Sequence, residues 1–181
     1  FSNILNEVTN ANYGTAGFVG AASTFDGDDV ADLRQDMVDA NCPVDQCALV
    51  LSNAYYTSLL KDGDISGYFD YGSADIIRDG RIPSLFGVGN IFETGSIPGN
   101  SENLVGFIAH PSAMAVAMRY LEPTNTQEYI AASRIYDEDS GLVLGYREFY
   151  EPSTGTQTAV LEAVYGFSVA VSGALLRMTS S

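Results

Sequence analysis

The sequence predicts a mixed α/β (α+β) chain, and three observations carry that prediction. Two short runs, Cys47–Leu51 (CALVL) and Leu104–Ala109 (LVGFIA), are continuously apolar, as in strands buried on both faces. Residues Asp28–Ala40 place Val30, Leu33, Met37 and one of Val38 or Ala40 on a single stripe, with Asp32, Arg34, Asp36 and Asp39 outside it; that is helical spacing. Toward the end, Leu142–Tyr150 and Thr156–Val171 alternate with a period of two around the turn-forming segment Glu151–Gly155 (EPSTG), the pattern of two antiparallel strands.

The elements follow in order. Ile4, Leu5 and Val8 have helical spacing, so Ser2–Asn10 reads as a helix ended by Asn10, Asn12 and Gly14. The small residues of Thr15–Thr24 read as a loop. Asp26 precedes Gly27-Asp28-Asp29, a helix start with acids in the first turn, and Asn41 and Pro43 stop that helix. After the strand Cys47–Leu51, Ser52 is the N-cap candidate for a helix through Lys61, with Tyr55, Tyr56, Leu59 and Leu60 available for packing. Asp62-Gly63-Asp64 is a turn, and Ile65–Asp79 shows only weak alternation. Arg81–Thr94 reads as a strand or hairpin kinked at its glycines. Ile97–Asn103 is a polar loop before the strand Leu104–Ala109. Pro111 suits the first turn of a helix running to Leu121. Pro123–Gln127 breaks the chain, Ile130–Tyr136 reads as a strand, and Asp137–Gly141 as a turn.

The 181 residues fit one domain or two small intergrown ones, at roughly 100–200 residues per domain. Charged residues are 17%, with 23 acidic against 8 basic and a net charge of −15. Lys61 is the single lysine, so a basic groove for nucleic acid is hard to build. Eleven tyrosines with few charges suit either a tyrosine-rich core or surfaces buried against other subunits. No apolar segment reaches the ~20 residues of a membrane span. FSNILNEV has no basic region typical of a signal peptide, and it starts without Met, as a processed or trimmed piece would. Cys42 and Cys47 have C-x4-C spacing, which is neither a redox C-x-x-C nor half of a zinc site. Two free thiols are the expected state, and a local disulfide is the alternative.

No catalytic, cofactor or metal motif emerges. His110 is the lone histidine; it lacks a recognisable nucleophile context and reads as a capping or packing residue. Gly87-Val88-Gly89 is half of a dinucleotide fingerprint, with Phe92 where the third glycine belongs. The turns Asp26–Asp29, Asp62–Asp64 and Asp137–Asp139 lack the full calcium-loop ligand ladder. Any two acids could meet as a glycosidase pair, but the tryptophans often expected of a sugar cleft are absent.

The order of the pieces resembles the major capsid (coat) proteins of tailed double-stranded DNA bacteriophages. The helix DDVADLRQDMVDA, a turn with Pro43, the strand ALVLS and the helix NAYYTSLLKD are similar to that family's succession, with Leu49–Ser52 and Tyr55–Leu60 matching its strand-to-helix pattern. Downstream, Ile82, Gly87, Pro98, Leu104–Ile108, Pro111, Ala113 and Arg119 match a second stretch, and DSGLVLGYREFYEPSTGTQTAVLEAVYGFSVAV resembles the paired strands of the family's peripheral domain.

The resemblance implies a compact axial domain and an elongated peripheral domain. Residues 1–41 would be the peripheral domain's helical part, 42–127 the axial domain, 128–168 the peripheral strands and 169–181 a return to the axial domain. The family's N-terminal arm and extended hairpin have no counterpart here, as in a core fragment. Some relatives join subunits through a lysine–asparagine bond; Lys61 lies at a helix end instead of in a hairpin, so that chemistry is not carried over. The implied function is a non-enzymatic subunit of an icosahedral shell, found in the virion after assembly in the host cytoplasm. Its partners would be copies of itself in pentamers and hexamers, together with scaffold, portal or decoration proteins. No cofactor, metal or membrane is implied. At net −15, the shell would enclose DNA without gripping it. The tip Glu151, Pro152, Ser153, Thr154 and Gly155 would touch neighbouring subunits. The competing readings are an acidic carbohydrate-acting enzyme and a non-catalytic virion binding module.

Overall fold

The computed structural model describes residues 2–63, 65, 80–82, 84–122, 129–138 and 141–181. The chain divides into two units, Phe1–Met114 with Val169–Ser181, and Ala115–Ser168.

The first unit is built on a five-stranded sheet. Its strands are β1 (Phe18–Val19), β2 (Ala48–Ser52), β3 (Asn90–Thr94), β4 (Leu104–Ala109) and β10 (Leu175–Thr179), in the order β1-β10-β4-β2-β3. The two apolar runs expected as buried strands lie side by side: β2 pairs antiparallel with β4, placing Leu49 opposite Ile108. Strand β3 runs parallel to β2, and β10 antiparallel to β4. Leu49, Leu51, Ile108 and Met178 are fully buried, so the central strands have the near-continuous apolar character of a two-sided core.

Helix α3 (Gly27–Asp39) carries its stripe as expected, with Val30, Leu33 and Met37 buried and Val38 exposed. Asp26 caps it: its carboxylate accepts from the N–H groups of Asp28 and Asp29, and Asp29 reaches back to the Asp26 N–H. This reciprocal capping box satisfies donors that a helix start leaves open. Helix α4 (Asn53–Lys61) buries Tyr55, Tyr56 and Leu59. Ser52 occupies its N-cap position, but its side chain makes no capping hydrogen bond. All the core residues of the first unit form one cluster that includes the α3 stripe.

The α3 stripe packs into the core cluster of the sheet unit, which runs to Met114 and resumes at Val169. A stripe of three large apolar side chains needs an apolar partner surface, and the central sheet supplies it.

Two local expectations are corrected. Ser2–Asn10 is not one helix: α1 (Ser2–Leu5) ends early, and Asn10 starts α2 (Asn10–Tyr13). The segment Pro111–Leu121 is not a helix either. Pro111 lies in a turn closed by the Ala113 N–H donating to His110 O, and β5 (Met114–Arg119) follows. Ala, Met and Arg are good helix formers, yet pairing with β9 (Val164–Val169) overrides that local preference.

The second unit holds the two-stranded ribbon β5-β9 and a three-stranded antiparallel sheet in the order β6-β7-β8. These strands are β6 (Ala131–Tyr136), β7 (Val143–Glu151) and β8 (Thr156–Glu162). The expected hairpin is present, with Glu151 opposite Thr156 and Gly145 opposite Glu162. The long alternating segment after the turn divides into β8 and β9, which pair with different partners. The weakly alternating residues 66–79 and the break at 123–127 lie outside the described residues, as do Asp64 and Asp139 of the acidic turns.

Candidate functional site

The residues expected to meet neighbours form the β7–β8 tip. Glu151, Pro152, Ser153, Thr154 and Gly155 are all exposed. The tip satisfies its own polar groups. Gly155 N donates to Glu151 O at 2.9 Å, Ser153 Oγ to Glu151 Oε1 at 2.7 Å, and the Thr154 and Thr156 hydroxyls lie 2.6 Å apart. Gly155 has φ of 69°, which glycine adopts without the penalty a Cβ brings. The outcome is a defined, outward-facing tip.

Below the tip, the sheet has two unlike faces. Arg147, Val160, Glu162 and Gly145 share one face by register. There Arg147 pairs with Glu162 at 2.5 Å, donates to Leu121 O at 2.9 Å, and lies 5.7 Å from the Tyr129 ring centre. Ile135, Leu144, Tyr146 and Leu161 share the other face. Glu148 and Gln157 also lie on this face, and Glu148 accepts from Tyr146 Oη at 3.2 Å and from Gln157 Nε2.

The residues weighed for chemistry do not converge. His110 Nδ1 is 2.7 Å from Ser112 Oγ and accepts from Ser112 N at 3.2 Å. A serine hydroxyl is thus within reach, but Nε2 has no hydrogen-bond partner among the described residues, so no carboxylate orients the ring. The contact spans two residues within a turn, so it is a local link inside that turn. Phe86 and Gly87, with φ of 50° and 83°, form a tight turn bridged by Leu85 and Val88. The Gly87-Val88-Gly89 run is therefore a turn leading into β3. Among the acids, Asp29 has its carboxyl raised by burial and then by Asp26, Asp32 and Asp28 around it, but it is spent in the α3 cap. No group of three potential metal ligands occurs among the described residues.

Cys42 and Cys47 are free and buried. Burial, then Cys42 and Asp45 nearby, pushes the Cys47 thiol up to about 11. The folded protein then keeps a proton that the unfolded chain releases near pH 9, so stability falls as pH rises from about 9 to about 11, with Cys47 contributing up to about 1.4 kcal/mol per pH unit. Tyr13 and Tyr55, both raised first by burial, act in the same direction. Chemical denaturation at pH 8, 9, 10 and 11 should show this fall, and Cys47→Ala should flatten it. An equally steep fall in Cys47→Ala would contradict the assignment.

A cluster absent from the sequence reading ties distant parts of the first unit together. Arg177, 4% exposed in β10, donates through Nε and Nη2 to Gly14 O at 3.1 and 2.8 Å, pairs with Glu102 through Nη1, and reaches Asn10 Oδ1 at 3.4 Å. Glu102 also accepts from Asn10 N at 2.9 Å. The available signal was one arginine within the strand LLRMT, where Arg177 is itself buried.

With this geometry in place, comparisons locate the fold among known structures. A chain of Mycobacterium phage Che8 aligns over 98% of this chain and 56% of its own length, at TM-score 0.55 and 19% identity. A chain in the capsid structure of the cyanophage P-SCSP1u aligns over 96% and 50%, at TM-score 0.56 and 12% identity. One in the asymmetric unit of the bacteriophage PhiM1 mature capsid aligns over 91% and 51%, at TM-score 0.54 and 12% identity. The mixed α/β fold is thus one shared with chains of phage capsids. The chain spans about half the length of these solved chains. No protein-family model and no curated protein matches it.

Proposed function

We propose that the chain is a structural subunit of an icosahedral phage shell that assembles with copies of itself around double-stranded DNA. The observation that carries this reading is the alignment of nearly the whole chain, both units included, with chains of phage capsids. In this reading the five-stranded sheet unit is the axial domain and Ala115–Ser168 the peripheral one. Copies meet head to tail around symmetry axes, as pentamers and hexamers require. Scaffold, portal or decoration proteins are its further partners, and assembly takes place in the host cytoplasm before the subunit resides in the virion. The net charge of −15 suits a wall that releases its DNA. A carbohydrate-acting enzyme built on an acid pair has no support in these observations.

The tip Glu151–Gly155 is the proposed contact with neighbouring subunits. Exposed turns ordinarily tolerate insertions, so a strong assembly defect here would be specific. Inserting three residues between Ser153 and Thr154 should leave secondary structure by circular dichroism unchanged while closed particles are lost in electron micrographs. Normal particles from the insertion variant would remove the tip from the interface.

A further inference from the structure

The chain's two cysteines flank a single turn, the one that joins α3 to β2. Helix α3 ends at Asn41, whose φ is 59°. There the N–H of Cys42 donates to Met37 O at 3.0 Å and that of Asn41 to Val38 O at 2.9 Å, the paired bonds of a left-handed helix end. After Pro43 the chain doubles back through a 3₁₀ turn, Val44–Gln46, closed by Cys47 N donating to Val44 O at 3.1 Å. Both cysteine side chains are buried in one core cluster, Cys42 8% exposed and Cys47 0%. The Cys47 thiol reaches back across the turn to Pro43 O at 3.3 Å, the residue next to Cys42. The Cys42 thiol has a long contact, 3.9 Å, with Ala40 O. Thiols are weak donors, so neither contact fixes its sulfur firmly.

The segment between them is packed tightly. Asp45 O lies where a Cβ on Gly89 would come within 2.4 Å of it, at the entrance to the β2–β3 pair. A disulfide needs Cα atoms about 4.4–6.8 Å apart, a span open to a short segment that doubles back on itself.

We propose that Cys42 and Cys47 form a latent redox staple, open in a reducing compartment and closed as a disulfide once the protein meets an oxidising one. The oxidant is a low-molecular-weight disulfide. The thiolate of Cys42, the less buried of the two, attacks one of its sulfurs and expels one small thiol. The Cys47 thiolate then attacks the Cys42 sulfur and expels the second. Two protein S–H bonds and the oxidant's S–S bond are lost; one protein S–S bond and two small thiols are gained. The cysteines are oxidised as the oxidant is reduced. Burial first, then Cys42 and Asp45, hold the Cys47 thiol up at about 11, and the thiolate is the attacking form, so closure is slow at neutral pH. The closed staple restricts the unfolded chain and holds Asp45 O against Gly89. The change of compartment rests on the shell-subunit reading: a particle assembled in the cytoplasm, where thiols stay reduced, is oxidised after release.

The test exposes the folded full-length protein to glutathione disulfide in mildly alkaline buffer, with mass spectrometry and urea denaturation before and after. Cleavage at Arg34 and Lys61 leaves both cysteines in one peptide, which should become lighter by two hydrogens. The oxidised protein should have an unfolding equilibrium constant smaller by about tenfold or more, and dithiothreitol should reverse both changes. Cys42→Ala should gain nothing from the same treatment, and comparing the oxidised with the reduced parent needs no substitution at all. Thiols that stay free, a glutathione adduct that never closes, a crosslink between chains, or closure without added stability would each overturn the proposal. A staple in a protein that forms no shells would sink the shell reading and leave this inference standing; closed shells recovered from oxidising medium with both thiols free would do the reverse.

Discussion

Replacing Arg177 with methionine should lower unfolding free energy by about 3 kcal/mol, the low end of the loss on breaking a buried ion pair. Methionine fills the volume but leaves Gly14 O without its donors and Glu102 without its cation. The low end applies because the Glu102 side chain is 33% exposed, so water recovers part of its solvation. Glu102→Gln retains acceptors for Asn10 N and Arg177 but removes the counter-charge of the buried guanidinium, so it should lose about 2 kcal/mol. Urea denaturation of both variants gives the comparison. Hydrogen exchange should quicken first around Asn10–Gly14, the segment that Arg177 ties to β10. A neutral Arg177→Met would show that the N-terminal helices hold without the tie.

Gly89→Ala should be comparably costly. A Cβ at this position would lie 2.4 Å from the carbonyl oxygen of Asp45, a backbone atom with no rotamer to yield. Gly89 directly precedes β3, and Asp45 lies in the short turn before β2, where Ala48 pairs with Asn90. Relief therefore requires moving the start of a strand pair. Overpacking of this kind costs about 1–3 kcal/mol, and backbone displacement puts this case at the upper end. Gly87→Ala provides a contrast. Its Cβ would meet nothing within 4 Å, so its cost comes only from φ of 83°, on the order of 1 kcal/mol. Equal losses from the two substitutions would contradict the close-approach explanation.

These sites also mark what the sequence made legible. Helix α3, strands β2 and β4, helix α4 and the β7–β8 hairpin each declare themselves through local periodicity and end signals, because burial and capping there act within a few residues. The tip was legible for the same reason: proline, glycine and short polar residues specify a turn. Strand β5 was misread because MAVAMR has helical propensity locally, while its strand state is fixed by β9 far along the chain. The division between β8 and β9 was hidden because alternation continues through Ala163 while the pairing partner changes. The Arg177 cluster was hidden most deeply. Its partners lie 75 and 163 residues away in sequence, and no local pattern encodes them.

The tyrosines are distributed unevenly between the two units. Few charges and many tyrosines fitted two readings, a tyrosine core or surfaces for other subunits. Tyr13, Tyr55 and Tyr56 are buried in the first unit, whereas Tyr136, Tyr150 and Tyr165 are exposed in the second. These tyrosines thus divide by unit between core and surface.

Electron microscopy of the purified full-length protein, after sizing at assembly-competent concentration, tests the central proposal most directly. A shell subunit yields closed particles of uniform diameter with fivefold and sixfold capsomers in their averages. A protein that remains a monodisperse monomer under all assembly conditions, including coexpression with the neighbouring genes of its own genome, would contradict it.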